Sequence, residues 1–208
     1  MAAKITVTGR GIAAAKPDRL DLVIEVSALE AAPDAALNTV AERSSTVERA
    51  FDGIGISSES RTTSGVWVGE EQDWEHERRV FRGYRARARY LVRLSDASLL
   101  GRLMKEVTRD GMARVEGPWW KVDSENQAHV EACRRAAEDA RRKAEAYAQS
   151  MGLRLGQIVR AKEPSVGVRF GYAALSAGGG HEEPEMMIHP GSLDVEAVLD
   201  VTFHLEQG

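Results

Sequence analysis

One long amphipathic helix restricts how this chain can fold more than any other feature. Between residues 125 and 151 an apolar stripe recurs at spacings of three and four, at Val130, Cys133, Ala137, Ala140, Ala144, Tyr147 and Met151. Charged residues fill the other faces, with acid-first i,i+4 pairs such as Glu131–Arg135 that each add about 0.2–0.5 kcal/mol. Because most of the stripe is alanine, the helix can lie close to a sheet. We therefore expect it to pack on strands, with Cys133 buried and unreactive.

The final segment has the clearest strand pattern. Every second residue from Leu193 to Leu205 is apolar, and acidic residues such as Asp194 and Glu196 occupy the opposite face. At about 3.3 Å per residue the segment would run past about 40 Å. We expect part of it to extend beyond its own sheet and to pair with another subunit.

The remaining elements follow from the same periodicities and from turn residues. Segments 4–12 and 19–29 alternate around Pro17-Asp18 and predict a hairpin, and a helix runs from Pro33 to Gly53. Strands lie near 61–69 and 79–94, joined by a charged loop from Glu70 to Arg78. A short helix then reaches about Asp110, and strands follow near 113–122 and 155–163. Pro118 places the strand near 113–122 at a sheet edge or a bulge. The order ββαββαβαββ predicts an α+β fold, a largely antiparallel sheet of about seven strands with three helices packed against it, in one domain over 4–207.

Four motifs in this order resemble the SIMPL-type domain family. They are Val7-x-Gly9-x-Gly11 with Lys16-Pro17-Asp18, Phe81-x-Gly83-Tyr84-x-Ala86, the helix segment 138–148 leading into Gly152-Leu153-x-Leu155-Gly156, and Ile188-x-Pro190-Gly191. The family is also described as oxidative-stress defence proteins, and its animal relative is a kinase-associated signalling adaptor. The resemblance implies an antiparallel sheet with packed helices and a tendency to form homo-oligomers. It carries no catalytic residues to transfer.

Composition limits the location and the partners. The net charge of −4 gives no overall attraction to nucleic acid, so a nucleic-acid partner is not expected. A single cysteine, Cys133, excludes an intrachain disulfide. No apolar run reaches the roughly 18 residues of a membrane span, and the first residues do not resemble a signal peptide. We expect a cytoplasmic protein, although many SIMPL relatives carry an export leader.

Two motifs resemble cofactor or metal sites without their context. Gly9-Arg10-Gly11-Ile12-Ala13-Ala14 matches G-x-G-x-x-A, but a turn and a second strand follow it instead of the helix that receives a pyrophosphate. Close backbone approach or a bulge explains these glycines better. Two histidines and three glutamates between His181 and His189 lie in a Gly-rich segment without ligand spacing, which indicates a surface loop. The sequence therefore predicts no catalytic residue, no metal and no cofactor.

Four arginines form the strongest local charge feature. Arg85, Arg87, Arg89 and Arg93 share one face of a strand and could follow a polyanion. The tyrosines of this strand lie on its other face, so aromatic rings for base stacking are not expected beside the row. If the final strand were a neighbour, its carboxylates would pair with these arginines, and an ion-paired face is the favoured reading.

A third set of residues predicts an interface. Trp119 and Trp120 are adjacent in a strand, so one should face the core and the other should not. Met186, Met187 and Ile188 are apolar residues in an irregular segment, where they would cover the core or dock on another subunit. These features favour a non-enzymatic, homo-oligomeric binding or scaffold protein, linked to stress by the resemblance, with an unknown protein partner. The alternatives are a small-molecule enzyme with a site under the 164–190 loop, and a polyanion binder using the arginine row.

Overall fold

The fold has three helices and two antiparallel sheets, in the predicted order. A computed structural model describes residues 3–75, 78–111, 113–164, 171–172 and 190–207. The elements are β1 (Lys4–Ala15), β2 (Arg19–Glu30), α1 (Pro33–Ile54), β3 (Arg61–Glu75), β4 (Arg78–Leu94), α2 (Leu99–Thr108), β5 (Ala113–Lys121), α3 (Gln127–Ser150), β6 (Leu153–Lys162), the two-residue β7 (Gly171–Tyr172) and β8 (Leu193–Gln207). The predicted α+β class is confirmed.

The described residues fall into two compact units, each with its own sheet. The terminal unit takes its residues from 1–18, 122–180 and 189–208, and the central unit takes its described residues from 19–121. The prediction of one domain over 4–207 stays a prediction.

Strand β8 is the middle of the sheet in the terminal unit, whose order is β1-β8-β6 with β7 also pairing β8. It pairs with β1 from Leu193 to His204 and with β6 up to Gln207. The expected overhang of this strand is therefore wrong, because every residue of β8 has a neighbouring strand. The predicted hairpin of β1 with β2 is also wrong: β1 pairs with β8, and β2 pairs with β4 and β5.

Helix α3 contacts the terminal sheet through alanines spaced by four. Its buried residues are Ala128, Ala132, Ala136, Ala140, Ala144 and Ala148. The larger apolar residues of the predicted stripe, Val130, Tyr147 and Met151, are more than half exposed, and Cys133 is exposed as well. The buried face of α3 therefore differs from the predicted stripe, and the expectation of a buried thiol is wrong.

The reason for this difference lies in β1. A Cβ added to Gly9 would lie 2.0 Å from the carbonyl oxygen of Ala136, and one added to Gly11 would lie 2.0 Å from that of Ala132. Helix and strand backbones approach so closely that only alanine fits between them. Close backbone approach, the favoured explanation of these glycines, is what the structure has. The G-x-G-x-x-A segment lies entirely inside β1.

The motif around Asp18 holds the start of α3. The Asp18 carboxylate accepts hydrogen bonds from the Asp123 backbone N–H at 2.8 Å and from Asn126 Nδ2 at 2.9 Å. Asn126 is the N-cap of α3, and its Oδ1 accepts from the Ala128 N–H at 2.9 Å. Asp18 thus orients the capping residue, which gives the Lys16-Pro17-Asp18 motif a structural role.

The sheet of the central unit has the order β3-β4-β2-β5, and helices α1 and α2 cover one face. Leu20, Leu22, Ile24 and Val26 of β2 are fully buried in the core on that face. Helix α1 begins at Pro33, as predicted, and ends where Gly55 takes the left-handed conformation with φ of 89°. Strand β5 is an edge strand with a register shift at its pairing with β2, which confirms the position predicted from Pro118.

The charged loop predicted from Glu70 to Arg78 is wrong. Strand β3 continues to Glu75, and β4 starts at Arg78, so the two strands form one long hairpin. Its charges pair across the strands, with Arg82 bound to Glu75 and to Asp73. Charged residues that pair with each other in a hairpin resemble a solvated loop when only the local sequence is read.

Candidate functional site

Four arginines project from the face of the central sheet opposite the helices, here called the outer face. Alternation along β4 buries Ala86, Ala88, Tyr90 and Val92 against the core and directs Arg85, Arg87, Arg89 and Arg93 outward. Register then decides which side chains surround them. Gly65, Trp67 and Gly69 of β3 lie opposite Arg89, Arg87 and Arg85 respectively, and β2 places Glu25 beside Arg89.

Two arginines of the row are neutralised by neighbouring carboxylates. Arg85 Nε lies 3.0 Å from Glu71 Oε1, and Arg89 Nε lies 2.7 Å from Glu25 Oε2. The hydrogen bond from Arg85 holds the pKa of Glu71 below its usual value, with Arg87 a smaller contributor at longer range. The condition for pairing with the carboxylates of β8 is not met, because β8 belongs to the other sheet. The carboxylates come instead from β2 and β3.

Arg87 has a different environment from its neighbours. Among the described residues its Nε is buried without a hydrogen-bond partner, as is that of Arg85. The difference is in the ion pairs, which join Arg85 and Arg89 to carboxylates but not Arg87 within the described residues. Its guanidinium carbon lies 5.5 Å from the centroid of the Trp67 ring, which is cation–π geometry. Unlike Arg85 and Arg89, Arg87 thus lies against an aromatic ring instead of a carboxylate.

Trp67 forms one wall of a groove beside Arg87. Its indole lies over Gly69, where an added Cβ would come within 2.5 Å of the ring. An added Cβ on Gly65 would meet nothing within 4 Å, so the space over Gly65 is open. The groove has a volume of about 390 Å³ and is lined by Glu25, Gly65, Val66, Trp67, Arg87 and Arg89. The expectation of no aromatic ring beside the row is wrong, because Trp67 comes from the neighbouring strand.

The two tryptophans of β5 point in opposite directions. Trp119 lies opposite Asp21 and is exposed on the outer face, whereas Trp120 lies opposite Leu20 and packs against the core. The other predicted interface residues, Met186, Met187 and Ile188, lie outside the described residues, as does the cluster between His181 and His189.

An exposed apolar surface lies on the β3–β4 hairpin, which the sequence analysis does not predict as an interface. Its members, Val66, Trp67, Val68, Trp74 and Phe81, are between 37% and 65% exposed. Within the part of the chain that the structure describes, only β4 pairs with β3, so the other edge of this strand is open. The sequence feature that could have indicated this surface is the Gly-Val-Trp-Val-Gly segment at 65–69. The sequence analysis misses it because it ends the strand at residue 69.

A second groove, of about 480 Å³, lies in the terminal unit between α3, β6 and β8. Leu155, Ile158, Leu199 and Phe203 contribute to its apolar walls. The ion pair of Arg141 with Glu145, at 2.9 Å, stands at the helix side.

The described residues form neither a metal-binding group nor a helix that could span a membrane. They contain no group of three or more His, Cys, Asp or Glu side chains arranged to hold a metal ion. No described helix has the length and hydropathy that a membrane crossing requires.

Comparison with known proteins identifies one family. The family model described as "SIMPL: Protein of unknown function (DUF541)" matches residues 5–203. No curated protein sequence matches the chain. Among solved structures, a de novo designed protein, Foldit4, aligns with 47% of this chain and 91% of its own at 16% identity, with a TM-score of 0.23. That score is too low for the likeness to carry an argument.

Proposed function

Since the chain belongs to the SIMPL family, whose function is unknown, we propose that it is a non-enzymatic binding protein that assembles with copies of itself through strand β3. The observation that carries this proposal is the open edge of a strand of 15 residues with apolar side chains exposed on both faces. Val66 and Val68 point to the helix side of the sheet and Trp67 to the outer side, and all three remain exposed. An exposed, apolar edge strand is a template for pairing with another strand.

The charges of β3 favour a second copy in antiparallel orientation as the partner. The half of the strand after Gly69 carries Glu70, Glu71, Asp73 and Glu75, and the half before Gly65 carries Thr62, Thr63 and Ser64. A parallel pair would set acidic residues against acidic residues, which is unfavourable. An antiparallel pair centred near Val68 sets the acidic half against the hydroxyl half, with two-fold symmetry.

Sedimentation velocity of matched variants tests the assembly. Val66 on β3 and Val130 on α3 are both 64% exposed, so Val66→Lys and Val130→Lys make the same chemical change at equal exposure. We expect an assembled wild type, a smaller particle for Val66→Lys, and no change for Val130→Lys, because a charge on an edge strand opposes pairing. A monomeric wild type, or equal dissociation by both variants, would contradict the proposal.

Oxidative cross-linking tests the orientation. In a Cys133→Ser background, a cysteine at position 68 would lie opposite its own copy at the two-fold axis, within disulfide reach. We expect Val68→Cys to give a covalent dimer on mild oxidation, and Val130→Cys in the same background to give none. Cross-linking at position 130 alone would point to a different interface.

The two alternative functions have less support. Glu71 and Glu25 each occupy one arginine of the row, so the row is not a continuous cationic track for a polyanion. The enzyme alternative requires a site under the 164–190 loop, most of which lies outside the described residues, and it stays a prediction.

A role in stress and a cytoplasmic location belong to the proposal as predictions. The first rests on the family resemblance and the second on the sequence alone. Fractionation of the native cell, followed by a pull-down with the tagged protein, checks the location and identifies protein partners in one experiment.

A further inference from the structure

We propose that the groove beside Trp67 binds a small, planar aromatic carboxylate, with its ring on the indole of Trp67 and its carboxylate on Arg87. The inference rests on the proposed binding function and gives that function a ligand class. It does not require assembly through β3.

The position of Arg87 provides the anionic preference. Glu71 and Glu25 pair with the arginines on either side of it, Arg85 and Arg89. No ion pair joins Arg87 to a carboxylate among the described residues, and its Nε, like that of Arg85, has no hydrogen-bond partner there. Its contact is with the aromatic face of Trp67, and the charge of Glu71 acts on it only at longer range. A ligand carboxylate would give the guanidinium a charge-assisted hydrogen bond, which is the interaction it lacks.

The position of Trp67 provides the aromatic preference. The ring is held against the backbone at Gly69, yet 49% of the residue remains exposed. Glycine on both sides along the strand means that no neighbouring side chain of β3 on this face covers the ring, and Arg87 approaches it from β4. A flat ligand can therefore stack on the indole at low conformational cost, because the indole is already positioned.

The acidic wall of the groove limits the charge of the ligand. Glu25 is held by Arg89 and only 16% of its side chain is exposed, so it is a fixed negative group in the lining. It would repel a ligand with several negative charges, and with Glu71 it interrupts the cationic row on both sides of Arg87. The volume of about 390 Å³ is within the range of roughly 300–1,000 Å³ typical of small-molecule sites. A small monoanion fits these limits better than a polymer.

Isothermal titration calorimetry with the full chain tests the ligand class. The probe is 2-naphthoate; its neutral analogue 2-naphthamide lacks the charge, cyclohexanecarboxylate lacks the aromatic ring, and inorganic polyphosphate represents a polyanion. We expect one 2-naphthoate per chain and affinities about tenfold or more weaker for the other three probes. Equal binding of the amide, or binding of polyphosphate alone, would overturn the proposal.

Matched variants locate the site. Arg87→Gln and Trp67→Ala should each weaken 2-naphthoate binding by about tenfold or more. The controls are Arg93→Gln, on the same face of the same strand, and Trp74→Ala, a second exposed tryptophan of β3 that also contacts an arginine; both should bind like the wild type. If either first variant fails to fold by circular dichroism, Arg87→Lys or Trp67→Phe replaces it, with a smaller loss expected.

The mass of the particle that Arg87→Gln forms in solution distinguishes a failure of the ligand site from a failure of the proposed assembly. Arg87 lies on β4, away from the open edge, so the variant should assemble normally while it loses the ligand. Wild-type affinity in Arg87→Gln would overturn the ligand site and leave the assembly proposal intact. Unchanged mass of Val66→Lys would overturn the assembly and leave the ligand site intact.

Discussion

At the scale of single residues, Asp139 links helix α3 to strand β1. Its Oδ2 accepts the backbone N–H of Arg10 at 3.0 Å and lies 2.6 Å from Lys143 Nζ, while Oδ1 accepts from Arg142 at 2.6 Å. The hydrogen bonds from Lys143 and from the Arg10 N–H lower the pKa of Asp139 to about 2. Only 12% of this side chain is exposed, so the contacts are poorly screened by solvent.

The lowered pKa makes the contribution of Asp139 to stability dependent on pH. Because the folded pKa is below the ordinary value of 3.8, the contribution is complete above about pH 4 and is lost as the pH falls toward 2. Asp139→Asn should lower the free energy of unfolding at pH 7 by about 1–2 kcal/mol, and the difference from wild type should narrow by pH 3. Urea titrations at both pH values measure it.

The neighbouring carboxylate of Glu138 is the control for this prediction. Its ion pair among the described residues is with Arg134 on the same helix, and 62% of its side chain is exposed. Glu138→Gln should change the stability by less than about 0.5 kcal/mol. A difference between Asp139→Asn and wild type that stayed constant from pH 7 to pH 3 would show that the charge of Asp139 is not its source.

At the scale of elements, the contact of β1 with α3 depends on two glycines. The predicted change is Gly9→Ala, whose new methyl group would meet the backbone of α3 at Ala136 and Ala140. Backbone cannot move aside as a flexible side chain can, so we expect a loss of at least about 1–3 kcal/mol in the free energy of unfolding. Chemical denaturation followed by circular dichroism measures the loss.

Gly101 in α2 is the matched control, since an added Cβ there would meet nothing within 4 Å. In a helix interior, alanine is better than glycine by roughly 0.8–1.0 kcal/mol. Gly101→Ala should therefore stabilise the protein by an amount of that order. Two Gly→Ala substitutions that change the free energy of unfolding in opposite directions would separate the effect of steric contact from that of backbone entropy. A neutral Gly9→Ala would contradict the close approach.

Most elements could be predicted from the sequence, but their neighbours could not. Alternation shows which face of a strand is buried, and it correctly directs Arg85 and Arg87 away from the core. It does not show which strand lies alongside, so the sequence predicts a hairpin of β1 with β2 that the structure lacks, and it leaves the neighbours of the arginine row open. Pairing is a property of distant segments, whereas periodicity is local.

The candidate site illustrates the same limit. The contact of Trp67 with Arg87 depends on the register of β3 against β4, and this ladder shifts between Thr63 and Gly65 and again between Glu71 and Gln72. A bulge inserts one residue into a strand and shifts the pairing of every later residue with the neighbouring strand by one position. The sequence does not show where such a bulge lies. The groove therefore becomes visible only when both strands are in place.

At the scale of the whole molecule, the two units have very different cores. The largest fully buried side chains are Phe51, Leu20, Leu22, Ile24, Leu100, Leu103, Val26, Val47, Val92, Val107 and Val195. All of them except Val195 belong to the central unit, while the helix of the terminal unit buries alanines. Apolar burial contributes about 25 cal/mol per Å², so the central unit has the larger hydrophobic stabilisation.

Hydrogen exchange followed by mass spectrometry should show this difference. We expect amides of β2 and β4 to exchange more slowly than those of β1 and β8, because opening the central unit exposes more apolar surface. The decisive comparison is with β8, because β2, β4 and β8 each have strand neighbours on both sides, whereas β1 is an edge strand among the described residues. Equal or greater protection of β1 and β8 would contradict the expectation.

The position of Pro118 has a consequence for how far assembly can grow. The central sheet has two edges, and β5 forms the one opposite β3. Proline has no N–H to donate to a further strand, and the pairing of β5 with β2 is interrupted between Asp21 and Val23, which bends an edge strand away from flat stacking. In a particle joined through β3, the outer edge of each sheet is therefore a β5 strand, which disfavours pairing with a further strand. If the chain assembles through β3 as proposed, we expect closed pairs of sheets instead of filaments.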